Sequence, residues 1–308
     1  DADGEDVFLW LHLFDAHAPY RPPGVRTDVS AAVSAGAPAI EITSEMLSGR
    51  GVPGWLRDVQ VSGIEEIRGW YGDEGVAIDA ALESLLSRPR IAEGWVALTS
   101  DHGENLGENR RTFEHTGLFQ PVLQVPMILA GPGVPTLRSS AGVQQFSVGR
   151  TLLDLAGVDA AFPGRSLLES AENEDRSEPR FGLSCYGDQA SITAGKWLLT
   201  LGLRTDTRHR EAPDSVAGRV HLFDRSLGIQ SEENFAEAEP EVTAKLHAAL
   251  RAWLNAQGET PPLAEAGVRT TRAQKRLRAL GYSGRTTDGD QRWWDPDRVE
   301  DPKWRVYW

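Results

Sequence analysis

A chain of 308 residues is long enough for one large α/β domain, or for one domain with a smaller appendage. Its 40% hydrophobic and 25% charged content is ordinary for a globular protein, and its formal charge of −13 argues against a nucleic-acid-binding surface and, more weakly, against adhesion to anionic lipid. No apolar run approaches the ~20 residues that span a bilayer, and the single cysteine, Cys185, excludes an intrachain disulfide or a cysteine-based zinc cluster while fitting either redox compartment.

The chain opens "DADGEDVFLWLHLF", with no initiator methionine, basic leader or cleavage-like segment. It reads as if cut just before a strand, so a piece of a longer protein is expected. "VFLWLHLFD" (7–15) is a nearly continuous apolar run, the pattern of a strand buried on both faces. Residues 21–55, rich in Pro, Gly, Ala and Ser, read as a surface excursion. Ile64, Ile67, Tyr71, Ile78, Leu82 and Leu85 then recur on one face of a long helix. "WVALTSD" (95–101) and "VPMILAGPG" (125–133) read as further buried strands, and "FSVGRTLLDLAGV" (146–158) as a helix closed by Gly157.

After about residue 175, "RFGLSCYG", "ASITAGKWLLTLGL" and "RVHLFDRSL" look like successive antiparallel strands. "PEVTAKLHAALRAWLNAQG" (240–258) follows as a helix with Val242, Leu246, Leu250 and Trp253 on one face. The expected fold class is therefore α/β: a central, mostly parallel or mixed sheet between helices, with a small C-terminal α+β subdomain of antiparallel sheet plus helix. The expected divisions are 1–174, 175–284 and a tail from 285 to 308 carrying Trp293, Trp294, Trp304 and Trp308.

In sheets of this class ligands gather beyond the carboxyl ends of strands, where Asp15-Ala16-His17 and Asp101-His102 both fall. A carboxylate beside an imidazole suits a divalent cation, although the pair alone does not choose the metal. The bland alternative, with Asp101 capping a turn and His102 satisfied by hydrogen bonds, is the commoner use of such a pair. His17 and His115 are equally ambiguous when taken singly.

Context changes those odds. "FLWLHLFDAHAPYRPP", "YGDEGVAIDAALESLL", "VALTSDHGENLGE", "FEHTGLFQPVLQVPMILAGPG" and "VGRTLLDLAGVDAAFPGRSLL" resemble consecutive motifs of the sulfatases, in the alkaline-phosphatase-like superfamily of metal-dependent hydrolases. "VHLFDRSLGIQSEENFAEAEPEVTAKLHAALRAWL" is similar to the C-terminal strand and helix of that family, and "RLRALGY" to a frequent late motif. The resemblance is collinear over most of residues 5–282. It implies that Asp101 and His102 are a pair of metal ligands, that His17 contacts the sulfate ester and helps the leaving group depart, and that His115 binds sulfate oxygens. Glu104 belongs to the motif without an assigned chemistry. The implied cofactor is Ca2+, with Mg2+, Mn2+ and Zn2+ as alternatives, and the implied substrate is a sulfated small molecule or glycan. Export is frequent in the family, which favours a periplasmic or extracellular location; oligomeric state stays open.

The sequence also departs from the pattern. The nucleophile motif, Cys or Ser followed by x-Pro-x-Arg and modified to formylglycine, is not found: "SCYGD", "SRPR" and "SEPR" do not match. The paired aspartates that complete the metal site are likewise absent, and both are expected upstream of this segment. "GKWLLTLG" (195–202) imitates an active-site Gly-Lys-Trp-His motif, but it falls where the family has a subdomain strand, so Lys196 reads as a decoy. The usual "GEHG" turn is Gly107-Glu108-Asn109-Arg110. The readings that follow are a sulfatase using a nucleophile outside this segment, a phosphatase, phosphodiesterase or phosphonate monoester hydrolase of the same superfamily, or a catalytically inactive binding module. The 308-residue chain alone is expected to be silent.

Overall fold

The computed structural model describes residues 6–18, 20, 64–108, 112–172, 177–184, 187–205, 215–229 and 233–257. The 21–55 excursion, the "RLRALGY" segment, Cys185 and the Trp-rich tail lie outside them.

The long helix forms as its periodicity requires: α1 runs Ile64–Leu86, with Glu65 and Glu66 in the first turn, where carboxylates favour the helix dipole. Ile67 and Trp70 are buried, while Ile78, Leu82 and Leu85 continue the stripe half-buried. One turn on from Trp70 that face also buries Glu74, a carboxylate that the hydrophobic pattern did not flag. A short α2 (Pro89–Ala92) leads into β1 (Val96–Thr99). There follow β2 (Asn105–Leu106), β3 (Thr112–Glu114), a single turn α3 (Gln120–Leu123), β4 (Met127–Ala130), α4 (Phe146–Leu155) and α5 (Leu167–Glu172). Gly157 ends α4 with φ +68, its N–H donating to the Asp154 carbonyl, the left-handed closure for which glycine is suited.

Two expectations for this body change. Residues 7–14 have no regular secondary structure, and Phe8 and Trp10 are 74% and 78% exposed. An apolar run on both faces needs a neighbouring strand on each side, and no ladder joins this one among the described residues. Similarly, β4 is not fully buried: it pairs antiparallel with β1 in register Val96↔Ala130 to Thr99↔Met127, and Ile128 faces outward.

The expected C-terminal antiparallel sheet and helix are present, with "ASITAGKWLLTLGL" forming a hairpin of two strands rather than one strand. Strands β5 (Arg180–Leu183), β6 (Gln189–Ala194), β7 (Trp197–Gly202) and β8 (Val220–Asp224) form one antiparallel sheet in sequence order, and α6 (Pro240–Ala256) packs on it. Alternation along the strands sorts the two faces. Ala190, Ile192, Leu199, Leu201 and Leu222 meet Leu246, Leu250 and Leu254 of α6 in a dry core, with Val242 and Trp253 at its margin. Each fully buried aliphatic side chain there contributes about 1.5–3 kcal/mol. The other face carries Gly182, Gln189, Ser191, Thr200 and Phe223, which turns out to matter for the site.

Lys196 lies in the β6–β7 turn. Its ammonium donates to Asp224 Oδ2 at 2.6 Å and sits 4.4 Å from the Trp197 ring centroid, so the residue is engaged in a local surface contact of the sheet.

Candidate functional site

Three loops deliver the sequence-predicted residues to one place. His17 follows a tight turn in which its N–H donates to the Phe14 carbonyl. Asp101 and His102 leave the end of β1, and His115 leaves the end of β3. The His102 and His115 rings stack with centroids 4.0 Å apart and planes inclined by 22°. The His17 ring is 5.0 Å from His115 and 6.4 Å from His102. Asp101 Oδ2 stands 3.8 Å from His102 Nε2. All four residues are therefore neighbours, although 98 positions separate the first from the last.

The turn after β1 is held by side-chain-to-backbone hydrogen bonds. Ser100 Oγ donates to the His102 carbonyl at 2.6 Å, and His102 N–H donates to Asp101 Oδ1 at 2.9 Å. Gly103 N–H donates to the Val122 carbonyl, and a Cβ at Gly103 would lie 2.0 Å from the Pro121 oxygen, so only glycine lets α3 approach this turn. From the opposite side Gln145 Nε2 donates to the carbonyls of Ser100 and Asp101. Gln145 occupies the N-cap of α4 without capping it, its amide being spent on the Asp101 turn.

His115 is aimed by a bulge. Asn105 pairs with Glu114 but Leu106 with Thr112, so Phe113 is the extra residue on β3. Its φ of +55 is strained for a bulky side chain and is held by burial against Tyr20, Ile67 and Trp70. Bulges of this kind re-aim the residues beside them. The Asn105 amide then brackets the histidine, donating to the Glu114 carbonyl at 2.9 Å and the Thr116 carbonyl at 3.4 Å. Arg68 of α1 fastens the β2 side through a 2.7 Å bond from Nε to the Leu106 carbonyl.

The electrostatics divide the two stacked rings. Burial and the neighbouring His115 lower the His102 pKa despite the Gly103 carbonyl and Asp101. Burial also opposes charge on His115, but Glu104, whose Oε2 lies 3.6 Å from His115 Nδ1, outweighs it with help from Asp101 and Glu114, and the pKa is raised. At 3.6 Å this is an ion-pair contact beyond hydrogen-bond range. The two shifts run in opposite directions, favouring the neutral form of His102 and the charged form of His115. Burial would raise the Asp101 carboxyl, yet His102 and the backbone N–H groups of the turn hold it below the usual carboxylate range.

Tautomers follow from the acceptors. His102 Nδ1 lies 2.8 Å from the Gly103 carbonyl and His17 Nδ1 2.6 Å from the Ala18 carbonyl; a carbonyl only accepts, so Nδ1 carries the proton in both. The Nε2 lone pair of neutral His102 is left on the Asp101 side, as a metal ligand needs. Asp101 and His102 thus fit as part of a cation site, while among the described residues no group of three or more His, Cys, Asp or Glu side chains is arranged to complete one.

The buried carboxylate Glu104, the bracket Asn105, the bulge at Phe113 and the clamp Gln145 were not singled out by sequence reasoning. Glu104 and Asn105 at least lie within the "DHGEN" motif. Gln145 is 44 positions from Asp101, and nothing local marks it.

Comparison with known proteins bears on the same region. The sulfatase family model matches residues 1–158. Choline-sulfatase of Rhizobium meliloti (strain 1021) is 31% identical over 137 residues, covering 41% of this chain and 26% of that protein. Human arylsulfatase K is 27% identical over 207 residues, covering 62% and 38%. A crystal structure from Bacteroides thetaiotaomicron described as a sulfatase superposes with a TM-score of 0.50 at 20% identity, over 63% of this chain and 43% of that one, and supports the α/β fold. The chain spans less than half the length of each.

Proposed function

Because the chain belongs to the sulfatase family, we propose that the protein containing it hydrolyses a sulfate monoester. The observation that carries this reading is the convergence of His17, His102 and His115 beside Asp101, with ring centroids 4.0–6.4 Å apart. Sulfate ester cleavage develops charge on the sulfate oxygens and on a departing alkoxide or phenoxide, and both must be stabilised in place.

Each side chain has a part suited to its surroundings. His115, whose charged form is favoured by buried Glu104, donates to a sulfate oxygen. Its backbone is fixed on either side by the Asn105 bracket and the Phe113 bulge, so little main-chain reorganisation is needed as charge develops. His17 lies on the open side; with Nδ1 committed to the Ala18 carbonyl, its Nε2 is the atom that serves the leaving oxygen as general acid. Asp101 and neutral His102 would hold a divalent cation, for which calcium is proposed ahead of magnesium and the transition metals. When bound, such an ion supplies Lewis-acid charge to the ester oxygens. The nucleophile is proposed to be a formylglycine outside the 308 residues.

Sulfated glycans or small sulfate esters are the proposed substrate class. Relatives include a choline-sulfatase, a Δ4,5-hexuronate-2-O-sulfatase and an N-acetylglucosamine-6-sulfatase, and each name concerns that protein. The test is turnover by the full-length protein of an aryl sulfate against the matching aryl phosphate, with metal analysis of protein purified without chelators. Sulfate turnover with bound calcium, both lost in Asp101→Ala, is expected. Preferred phosphate turnover with stoichiometric zinc or manganese would move the protein to the phosphoester branch of the superfamily, and no turnover of either would make it a binding module.

A further inference from the structure

The face of the C-terminal sheet opposite α6 is where the His115 loop rests. Strand alternation places Gly182, Gln189 and Phe223 on that face, and each meets the segment that follows His115. The Leu118 N–H donates to Gln189 Oε1 at 2.9 Å, across 71 positions of sequence. Phe119 packs edge-on against Phe223 at 6.1 Å between centroids. A Cβ at Gly182 would touch Leu123 at 3.4 Å, so the sheet is close-packed here. Gln189 and Leu118 are 3% and 5% exposed, which leaves the bond dry.

A buried amide N–H must find an acceptor, and loop residues seldom supply their own. Leu118 lies three residues beyond His115, with Gly117 at φ +81 between them. The other end of the same segment reaches the metal-ligand turn through Gly103 N–H and the Val122 carbonyl. Residues 115–122 are therefore strung between the Asp101 turn and the C-terminal sheet, and Gln189 supplies the polar fixing point on the sheet side.

We propose that Gln189 is a positioning residue: by accepting from Leu118 N–H it makes the C-terminal sheet the fixed reference for His115. The chemistry suits glutamine. The side chain is long enough to leave the sheet face, and its oxygen accepts. The catalytic consequence rests on the sulfatase reading; the tether itself does not. Misplacement of a catalytic group by about an ångström costs up to about a hundredfold in rate, so the tether acts on turnover more than on ground-state binding.

The experiment uses the full-length protein with Gln189→Met, which keeps length and removes the acceptor, Gln189→Glu, which retains one, and Ser191→Ala as a neighbour on the same face. Hydrogen exchange is followed in peptides covering 115–123 and 189–202, together with kcat and KM on an aryl sulfate. In Gln189→Met, exchange in 115–123 should accelerate about tenfold or more while 189–202 keeps its protection, and kcat should fall about tenfold to a hundredfold with KM changed less than about threefold. Gln189→Glu should restore both, and Ser191→Ala should leave both as in the wild type. Wild-type exchange of 115–123 in Gln189→Met overturns the tether. A change confined to KM, or equal losses in Ser191→Ala, overturns the positioning role. Should Gln189→Met unfold the sheet, Gln189→Glu decides, since loss of loop protection there contradicts the proposal. A wild-type protein without aryl-sulfate turnover contradicts the sulfatase reading instead, and the exchange arm still judges the tether.

Discussion

The Asp101–His115 region and the C-terminal sheet solve opposite problems. The sheet buries polar groups only where they are matched. Asp188 accepts from Ser184 Oγ at 2.5 Å, its carbonyl receives Leu203 N–H and Ser215 Oγ, and Asp224 takes Lys196 and Ser226. The site region leaves the buried atoms Glu104 Oε1, Asn105 Oδ1 and His115 Nδ1 without a hydrogen bond among the described residues and holds Phe113 in strained backbone. Unsatisfied buried polar atoms cost stability and mark places shaped for something other than stability. The difference teaches that the sheet supplies the free energy and the site region spends it on arrangement.

Truncating the sheet core should break the comparison most severely. Leu199→Ala removes a fully buried side chain and should cost about 2–5 kcal/mol, read as a lowered unfolding midpoint with activity lost alongside it. The complementary change, Glu104→Gln, removes a buried carboxylate from the site. Stability should shift by no more than ~1 kcal/mol, whereas aryl-sulfate turnover should fall about tenfold to a hundredfold as His115 loses the carboxylate that favours its charged form. A stability loss as large as that of Leu199→Ala would abolish the distinction.

Acid should separate the regions more gently. Burial, then Arg219, lowers the His221 pKa, and burial, then Arg251, lowers that of His247. A depressed folded value favours the neutral form, so these residues contribute stability above the unfolded value of about 6.5 and lose it as pH falls through the folded value. His115, raised, contributes below the unfolded value and loses its contribution as pH rises through the folded one; His102, lowered, works against it within the site. Replacing His221 and His247 by Gln should flatten the fall in unfolding midpoint between pH 7 and mildly acidic conditions. The smallest effect is expected from Lys196→Ala. Its half-exposed ion pair with Asp224 is worth at most about 1 kcal/mol, and turnover should match the wild type; a large loss would return Lys196 to the site.

What was legible in the sequence follows the same divide. Periodicity gave α1, α4, α6 and the antiparallel character of the C-terminal strands, because one apolar face per element is a local property; the turn at Gly195-Lys196 that makes "ASITAGKWLLTLGL" two strands was missed. The strand over 7–15 did not appear, since a run apolar on both faces acquires its structure only from neighbours. His17, Asp101, His102 and His115 could be placed together by resemblance to the sulfatases, and the structure places them within one cluster. Gln145 and Gln189 could not be found this way. Each is a neutral amide whose meaning lies in a carbonyl or N–H group 44 and 71 positions distant. The Phe113 bulge was hidden because its positive φ sits on a residue type that seldom takes it.

The separation of arrangement from stability is tested most directly by His115→Ala combined with Glu104→Gln, so that no buried carboxylate is left unpaired, in the full-length protein, with kcat/KM on an aryl sulfate and the unfolding free energy measured on the same samples. The account predicts a fall in kcat/KM of about a hundredfold or more, the scale for removing one preorganised donor, with stability changed by no more than ~1 kcal/mol. Wild-type kcat/KM in that variant, or a loss of activity accompanied by collapse of the fold, would contradict it.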